Sequence, residues 1–198
     1  MTNKRLLTNT RERDHTLRTT RSYENAISLT NINKIKEYCS GLNTSTAGVG
    51  NDNTVVASVR KGAKSFINPT SEAHWIFQLV FNVVSDANTK HWGFDLSGCN
   101  NIQYTLYEEN GDHYDWHTDL FFDEAHAEMR KLSVIVPLTD PSEYQGGEFQ
   151  IRLYRDVTIP QPLGTVIMFP SFVPHRITPI LSGQRESLVF WFVGPKFK

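Results

Sequence analysis

From Thr30 onward, apolar positions recur every three to four residues. Ile32, Ile35 and then Tyr38 or Cys39 share one face, and Thr30 is placed to cap the helix they predict. Residues 40–53 are rich in Gly, Ser, Thr and Asn and read as a loop. Residues 54–59 alternate as a strand does. Residues 71–87 return to helical spacing, with Trp75, Leu79, Val80 and Val83 on one face and Pro69 just ahead. From about Asn101 the period shortens to two, and strands are predicted over 102–107, 113–118, 132–138, 149–154, 165–169, 175–180 and 186–193. Turn residues separate them: Glu109-Asn110-Gly111, Tyr144 through Gly147, Pro160 through Gly164, and Ser182-Gly183-Gln184. Many short strands at near-regular spacing predict a mainly β antiparallel sandwich or barrel with helices packed outside. The 198 residues suit one domain. Residues 1–28 are polar and mixed in charge. They are expected to form an arm ahead of a single domain over 29–198, with helical support over about 29–100 and a strand-rich core over about 101–198.

Composition narrows the class. Twenty Lys and Arg against 21 Asp and Glu leave a net charge of −1, with 39% hydrophobic and 12% aromatic residues. That balance excludes disorder, collagen-like repeats and a polybasic nucleic-acid coat. No apolar run approaches the roughly 18 residues that a membrane span needs. The first residues, MTNKRLLTNTRERDH, carry charge with no apolar stretch behind it, so no secretory leader is expected. Cys39 and Cys99 make neither a disulfide framework nor a zinc knuckle. A cytoplasmic protein without a membrane partner is expected.

Metal-ligand chemistry is the most specific signal. His117-Thr118-Asp119 ends a predicted strand, and side chains two apart on a strand point the same way, roughly 6.5 Å apart. An imidazole and a carboxylate so placed can grip one ion, and His175, opening a later strand that could lie beside the first, is the candidate third ligand. Two His and one carboxylate leave positions open, as in non-haem Fe(II) oxygenases. On spacing alone, a hydrogen-bonded core His175 and a surface His117 account for the pattern equally well. His113-Tyr114-Asp115 is a second H-x-D on the same strand, nearer the turn at Gly111. His117 lies deeper, with Leu120-Phe121-Phe122 behind it to exclude water.

Ten residues past His175 comes Arg185, after the Ser182-Gly183-Gln184 turn, with Ser187 and Val189 on its strand face. A hairpin there would return Arg185 alongside the His175 strand. Held inside a barrel, its guanidinium needs an anionic partner, and a carboxylate suits it through two parallel hydrogen bonds. At the barrel rim it would simply reach solvent.

Five pieces then fall in order: QYTLYEENGDHYDWHTD, RKLSVIVPLTD, EYQGGEF, GTVIMFPSFVPHRITPILSG and QRESLVFW. Together they resemble the 2-oxoglutarate- and Fe(II)-dependent oxygenases of the prolyl 4-hydroxylase type over about 101–193. The resemblance implies a double-stranded β-helix, a jelly roll of cupin-like form with flanking helices. It implies iron on His117, Asp119 and His175, and so selects His117 over His113. It also implies that the distal carboxylate of 2-oxoglutarate lies on Arg185, with Tyr107 and Ser187 beside it. Tyr114 and Trp191 are expected to line the site or the substrate pocket. Gly146-Gly147-Glu148 looks like that family's hairpin between two core strands, and Asp123, Glu124 and Glu128 would lie on a loop at the barrel mouth. The implied reaction hydroxylates a prolyl or other amino-acid residue of a peptide or protein, using O2, decarboxylating 2-oxoglutarate to succinate, with ascorbate in support.

Two other readings are distinguishable. Nucleic-acid demethylases with H-x-D…H usually carry a second Arg after the co-substrate Arg, whereas Trp191 stands six beyond Arg185, so a nucleic-acid partner is not expected. A free amino acid remains an alternative substrate. A non-catalytic metal-binding jelly roll would have no reason to keep Arg185 and Tyr107 beside such a triad.

Overall fold

The computed structural model describes residues 19–48, 54–108, 111–125 and 127–197. Among the described residues, two α-helices and fourteen strands follow one another as β1 (Arg21–Tyr23), α1 (Leu29–Ser40), β2 (Ser45–Thr46), β3 (Arg60–Lys61), β4 (Ala63–Ile67), α2 (His74–His91), β5 (Gly98–Glu108), β6 (His113–His117), β7 (Phe122–Asp123), β8 (Glu128–Pro137), β9 (Tyr144–Gly146), β10 (Phe149–Arg152), β11 (Asp156–Ile159), β12 (Val166–Pro170), β13 (His175–Ile177) and β14 (Ile180–Gly194). The strands form a larger sheet in the order β1-β12-β8-β14-β5-β4-β2, with β7 on β8 and β9 on β14. A smaller sheet runs β11-β10-β13-β6-β3. Every pairing is antiparallel. This is the expected jelly roll with flanking helices.

The period of two explains how the larger sheet is used. Ile102, Tyr104, Leu132, Val134, Val136, Leu188 and Phe190 belong to one buried cluster with Ile32, Ile35, Ile76, Val80 and Val84 of the helices. Alternate residues Tyr107, Ile135, Ile167 and Phe169 join Phe149, Ile151 and Ile177 in a second cluster between the sheets. The same inward face also carries Gln103, Thr105, Ser133, Arg185 and Ser187, all buried. Strands covered on both faces lose the clean alternation of apolar and polar residues that a half-exposed strand shows, so these polar inward positions stand out.

Several boundaries differ from the sequence expectations. Ser28, not Thr30, caps α1, accepting from the Asn31 amide at 3.3 Å. Both residue types can cap, and Ser28 is the one in extended backbone. The helix α2 continues to His91, with Lys90 paired to Asp86 at 2.6 Å and the Asn88 side chain closing its end against both Phe94 backbone groups. Residues 54–59 do not form the strand their alternation predicts. Val59 and Arg60 amides both donate to the Val56 carbonyl in a turn, and Val55 is exposed. The strands lie just beyond, at β3 and β4. Gly62 lies between these two strands with φ +146°, and a Cβ there would stand 2.5 Å from the Tyr107 ring. The chain thus passes from the smaller sheet to the larger where only glycine fits.

Ser182-Gly183-Gln184 is no turn either: β14 runs straight through it, and Gly183 at φ +76° packs against the Glu143 and Tyr144 backbone. Gly146-Gly147-Glu148 does not join a hairpin, because β9 pairs with β14 while β10 pairs with β11 and β13. Phe122 and Asp123 pair with Met129 and Glu128 across β7 and β8, so Asp123 and Glu128 belong to strand ends while Glu124 lies in the turn between them. Ser22 and its neighbours pair with β12, which binds this part of the polar arm into the sheet; residues 1–18 lie outside the described residues.

Phe190 is buried on the outward face and meets Phe77 of α2 edge-on at 6.4 Å. Phe190→Ala is expected to cost about 3–5 kcal/mol through lost transfer and the cavity left behind. Urea unfolding would measure it as a lowered midpoint at unchanged slope, and a loss below about 1 kcal/mol would contradict this packing.

Candidate metal and co-substrate site

The site begins with one register. The strands β6 and β13 are antiparallel neighbours with His117 directly opposite His175, and the two rings lie 4.1 Å apart between centroids. Asp119 follows β6, and its amide donates to the Ser171 carbonyl at 2.9 Å. The Ser133 hydroxyl donates to Asp119 Oδ2 at 2.7 Å and lies 2.9 Å from the Ser171 hydroxyl. His117 Nε2 stands 3.7 Å from Asp119 Oδ1, and His175 Nε2 stands 3.4 Å from Oδ2. The possible ligand atoms of His117, Asp119 and His175 all lie within 4.8 Å of one another.

Each imidazole is oriented by its other nitrogen. His117 Nδ1 lies 2.7 Å from the Asp115 carbonyl and His175 Nδ1 lies 2.9 Å from that of Val173. A carbonyl only accepts, so each Nδ1 carries a proton, and each Nε2 is the nitrogen turned toward the carboxylate. Burial lowers the His117 pKa, with the neighbouring His175 adding to the effect, and keeps its imidazole neutral. Burial works against the Asp119 charge, but the His175 and His117 imidazoles and the Ser133 hydroxyl outweigh it and hold the carboxyl below its usual range. Two imidazoles that turn Nε2 inward beside one carboxylate fit a divalent ion. Rings hold them in place: Tyr114 stacks on His117 at 3.4 Å, and Phe169 meets His175 edge-on at 4.7 Å.

His113, the other H-x-D histidine, turns elsewhere. Its Nδ1 lies 2.9 Å from the Gly111 carbonyl and its Nε2 lies 3.3 Å from that of Ser58.

The triad opens into a cavity of about 360 Å³ that Tyr107, Arg185, Ser187 and Trp191 also line. Arg185 does not lie beside the His175 strand, as a hairpin would have placed it. Its strand β14 pairs with β5 and β8, so Arg185 reaches the cavity from the larger sheet while both histidines come from the smaller one. Arg185 is 2% exposed, and burial pushes its pKa down from the usual range. Its Nη1 donates to Ser187 Oγ at 3.1 Å and its Nη2 donates to Gln161 Oε1. Its Nε is buried with no hydrogen-bond partner, and the Tyr107 ring lies 5.9 Å from its carbon Cζ. Ser187, Gln161 and Tyr144, the last also hydrogen-bonded to Arg185, are all uncharged partners for the guanidinium.

Gln161 is a site residue that sequence reasoning missed. It also donates to the Gly147 carbonyl at 3.2 Å, and so props the guanidinium against the loop. Between Pro160 and Pro162 it reads only as a turn residue, and nothing in the sequence marks it.

A jelly roll presenting two imidazoles and a carboxylate to a cavity that also holds a buried, uncompensated arginine has the fold and donor set of the non-haem iron oxygenase class. Residues 102–193 match the model of the 2OG-Fe(II) oxygenase superfamily. A PKHD-type hydroxylase of Synechococcus sp. (strain CC9902) is 40% identical over 84 residues, which are 42% of this chain and 37% of that protein. The chain therefore matches well under half the length of this curated relative. Among solved structures, a prolyl hydroxylase from Trichoplax adhaerens, in complex with a hypoxia inducible factor oxygen degradation domain peptide fragment, superposes with a TM-score of 0.72. Identity there is 16%, over 89% of this chain and 84% of that one. A Pseudomonas putida prolyl-4-hydroxylase gives a TM-score of 0.69 at 19% identity, over 93% and 96%. At such identities these two likenesses concern the fold.

Two outcomes are expected. His117→Ala should weaken Mn(II) binding by more than the roughly 10–100-fold typical of losing a supporting partner, whereas His113→Ala should leave it nearly unchanged; calorimetric titration compares them. In the metal-free protein, His117 binds its proton at lower pH than the 6.5 of an ordinary histidine. Below that value the unfolded chain therefore holds more protons than the folded one, and stability falls as pH falls. Urea midpoints in a chelator at pH values on either side should show the loss, and His117→Gln should reduce it.

Proposed function

We propose that this protein is a 2-oxoglutarate-dependent dioxygenase that hydroxylates a prolyl, or other amino-acid, residue in a peptide or protein. The observation that carries the reading is the pairing, in one cavity, of the converging His117, Asp119 and His175 with a buried Arg185 that no carboxylate among the described residues neutralises. In this reading His117, Asp119 and His175 hold Fe(II), which when bound would supply the chemistry that couples decarboxylation of 2-oxoglutarate to succinate with hydroxylation of a C–H bond by O2. Arg185 grips the distal carboxylate through its planar fork, with Ser187 orienting the fork from one side and Gln161 from the other. Tyr107, buried beside them, offers its hydroxyl to the same carboxylate. Tyr114 fixes the His117 ring by stacking, and Trp191 lines the substrate side. Ascorbate would serve to keep the iron reduced.

The relative is named a PKHD-type hydroxylase and the two structural neighbours prolyl hydroxylases, one of them bound to a peptide, which supports a peptide or protein substrate. Among the described residues no helix is long and apolar enough to cross a membrane. Both cysteines are free, which fits a reducing compartment and supports a cytoplasmic location.

Titration of 2-oxoglutarate into the Mn(II)-loaded, oxygen-free protein tests the reading. Arg185→Ala removes a charge-assisted, desolvated contact of about 3 kcal/mol, so affinity should fall by about a hundredfold while Mn(II) binding survives. Arg185→Lys should keep part of the affinity and Tyr107→Phe most of it. An Arg185→Ala protein that binds 2-oxoglutarate like the wild type would sink the proposal.

A further inference from the structure

The cavity holds more positive charge than the proposed co-substrate uses. Among the described residues that line it, Arg60, Lys64, Arg130 and Arg185 are cations and Asp119 is the only carboxylate. Once Asp119 is assigned to the metal and Arg185 to 2-oxoglutarate, three cations remain. Aromatic rings face all three of them, with the Lys64 ammonium 5.3 Å over the Phe66 ring. The Arg60 guanidinium lies 4.4 Å over the Tyr114 ring and donates to the Gly48 carbonyl at 3.1 Å, with its Nε buried and without a partner. The Arg130 guanidinium lies 3.8 Å over Trp191 and 5.3 Å from the Phe121 ring. No ion pair joins either arginine to a carboxylate among the described residues. Lys64 is buried close to both, and its pKa is lowered by burial first and then by Arg60 and Arg130.

Like charges gathered in a poorly hydrated place repel one another, and an anion set among them relieves that repulsion. Gly62 makes the gathering possible. By carrying the chain from β3 to β4 it delivers Arg60 from one sheet and Lys64 from the other. The rim beside them is apolar, with Phe66 and Leu120 both lining the cavity and nearly half exposed. It offers a surface to the uncharged part of a peptide.

We propose that Arg60, Lys64 and Arg130 form a carboxylate-recognition site at the mouth of the cavity, and that the substrate is a peptide with an acidic residue next to the one hydroxylated. This inference rests on the hydroxylase reading. The stacked pairs bracket the reacting position: Tyr114 carries Arg60 on the same ring that lies against His117, while Trp191 carries Arg130. An acidic side chain bound between them places the neighbouring residue over the triad. A stacked guanidinium has lost much of its freedom already, so closing on a carboxylate costs little further entropy.

The test uses the full chain loaded with Mn(II) and 2-oxoglutarate without oxygen, whose binding is measured first. Capped peptides with a central proline flanked by Glu are then titrated against the same peptides with Gln. The Glu peptides should bind at least about tenfold more tightly at low salt, a gap that closes as salt screens the charges. Lys64→Gln should narrow the gap severalfold and leave 2-oxoglutarate and Mn(II) affinities unchanged, which also shows that the variant is folded. Glu and Gln peptides binding alike, or neither binding, overturns the proposal. So does a Lys64→Gln protein that loses 2-oxoglutarate affinity, since the cations would then serve the co-substrate. Free L-proline binding more tightly than every capped peptide would assign the site to an α-carboxylate and end the peptide reading. Failure to bind Mn(II) and 2-oxoglutarate at all would instead defeat the hydroxylase reading, and this inference with it.

Discussion

Residues directly opposite one another on antiparallel strands hold their Cβ atoms about 4.5–5.5 Å apart. The strands β6 and β13 use that spacing to set His117 against His175. Shifting either strand by one residue would turn its imidazole to the other face, so the site depends on this register more than on any single contact. The register is in turn held from outside the pair. On its far side β13 pairs with β10, where His175 stands opposite Ile151, and Phe149 and Phe169 close around the ring. Asp119 is tied to the other sheet through Ser133 on β8. The carboxylate therefore bridges the two sheets, and the triad is rigid because both sheets must move to open it.

The larger sheet carries two interiors on its two faces. One set of alternate residues packs on the helices as an apolar layer, and the other set faces the cavity with Gln103, Thr105, Ser187 and Arg185 among the apolar residues. The helices α1 and α2 contribute no ligand. Their work is to bury the outward face, and in doing so they fix which residues must point inward. Glu186, the neighbour of Arg185, faces the helix side, where it accepts from the Tyr104 hydroxyl at 2.7 Å and pairs with Lys36 of α1 at 3.1 Å. The alternation that sends Glu186 outward sends Arg185 inward, away from the carboxylate next to it in sequence.

This division explains what could be read from the chain. Strands from Asn101 onward were legible because turn residues bracket each apolar run, and His117, Asp119 and His175 because a short spacing and a strand opening put ligands where a strand pair can join them. The paths between sheets were not legible. Residues 54–59 alternate as strands do, but a strand needs a partner, and alternation says nothing about whether one is within reach. Gly183 looked like a turn because glycine at positive φ serves turns and close approaches alike. Reading it as a hairpin places Arg185 on the smaller sheet, whereas its strand pairs within the larger one; its burial is the same on either sheet. Gln161 and Arg60 lay out of reach for a different reason. Each acts through a fold contact far along the chain, Gln161 with Arg185 and Arg60 with Tyr114, and no local pattern records such contacts.

The two walls of the cavity then differ in kind. The smaller sheet presents imidazoles, supported by backbone carbonyls and rings, and the larger presents a cation supported by neutral amide and hydroxyl groups. Neither wall neutralises the other. A carboxylate supplied to Arg185 by the fold would have satisfied the folded state and closed the site, because a ligand anion would then have to displace a buried ion pair. Gln161 in that place satisfies the hydrogen-bond geometry and leaves the charge uncompensated. The same logic holds at Tyr114 and Trp191, where a ring faces each arginine without cancelling its charge. Holding cations by neutral partners costs stability in the empty protein, and that cost is what a bound anion relieves.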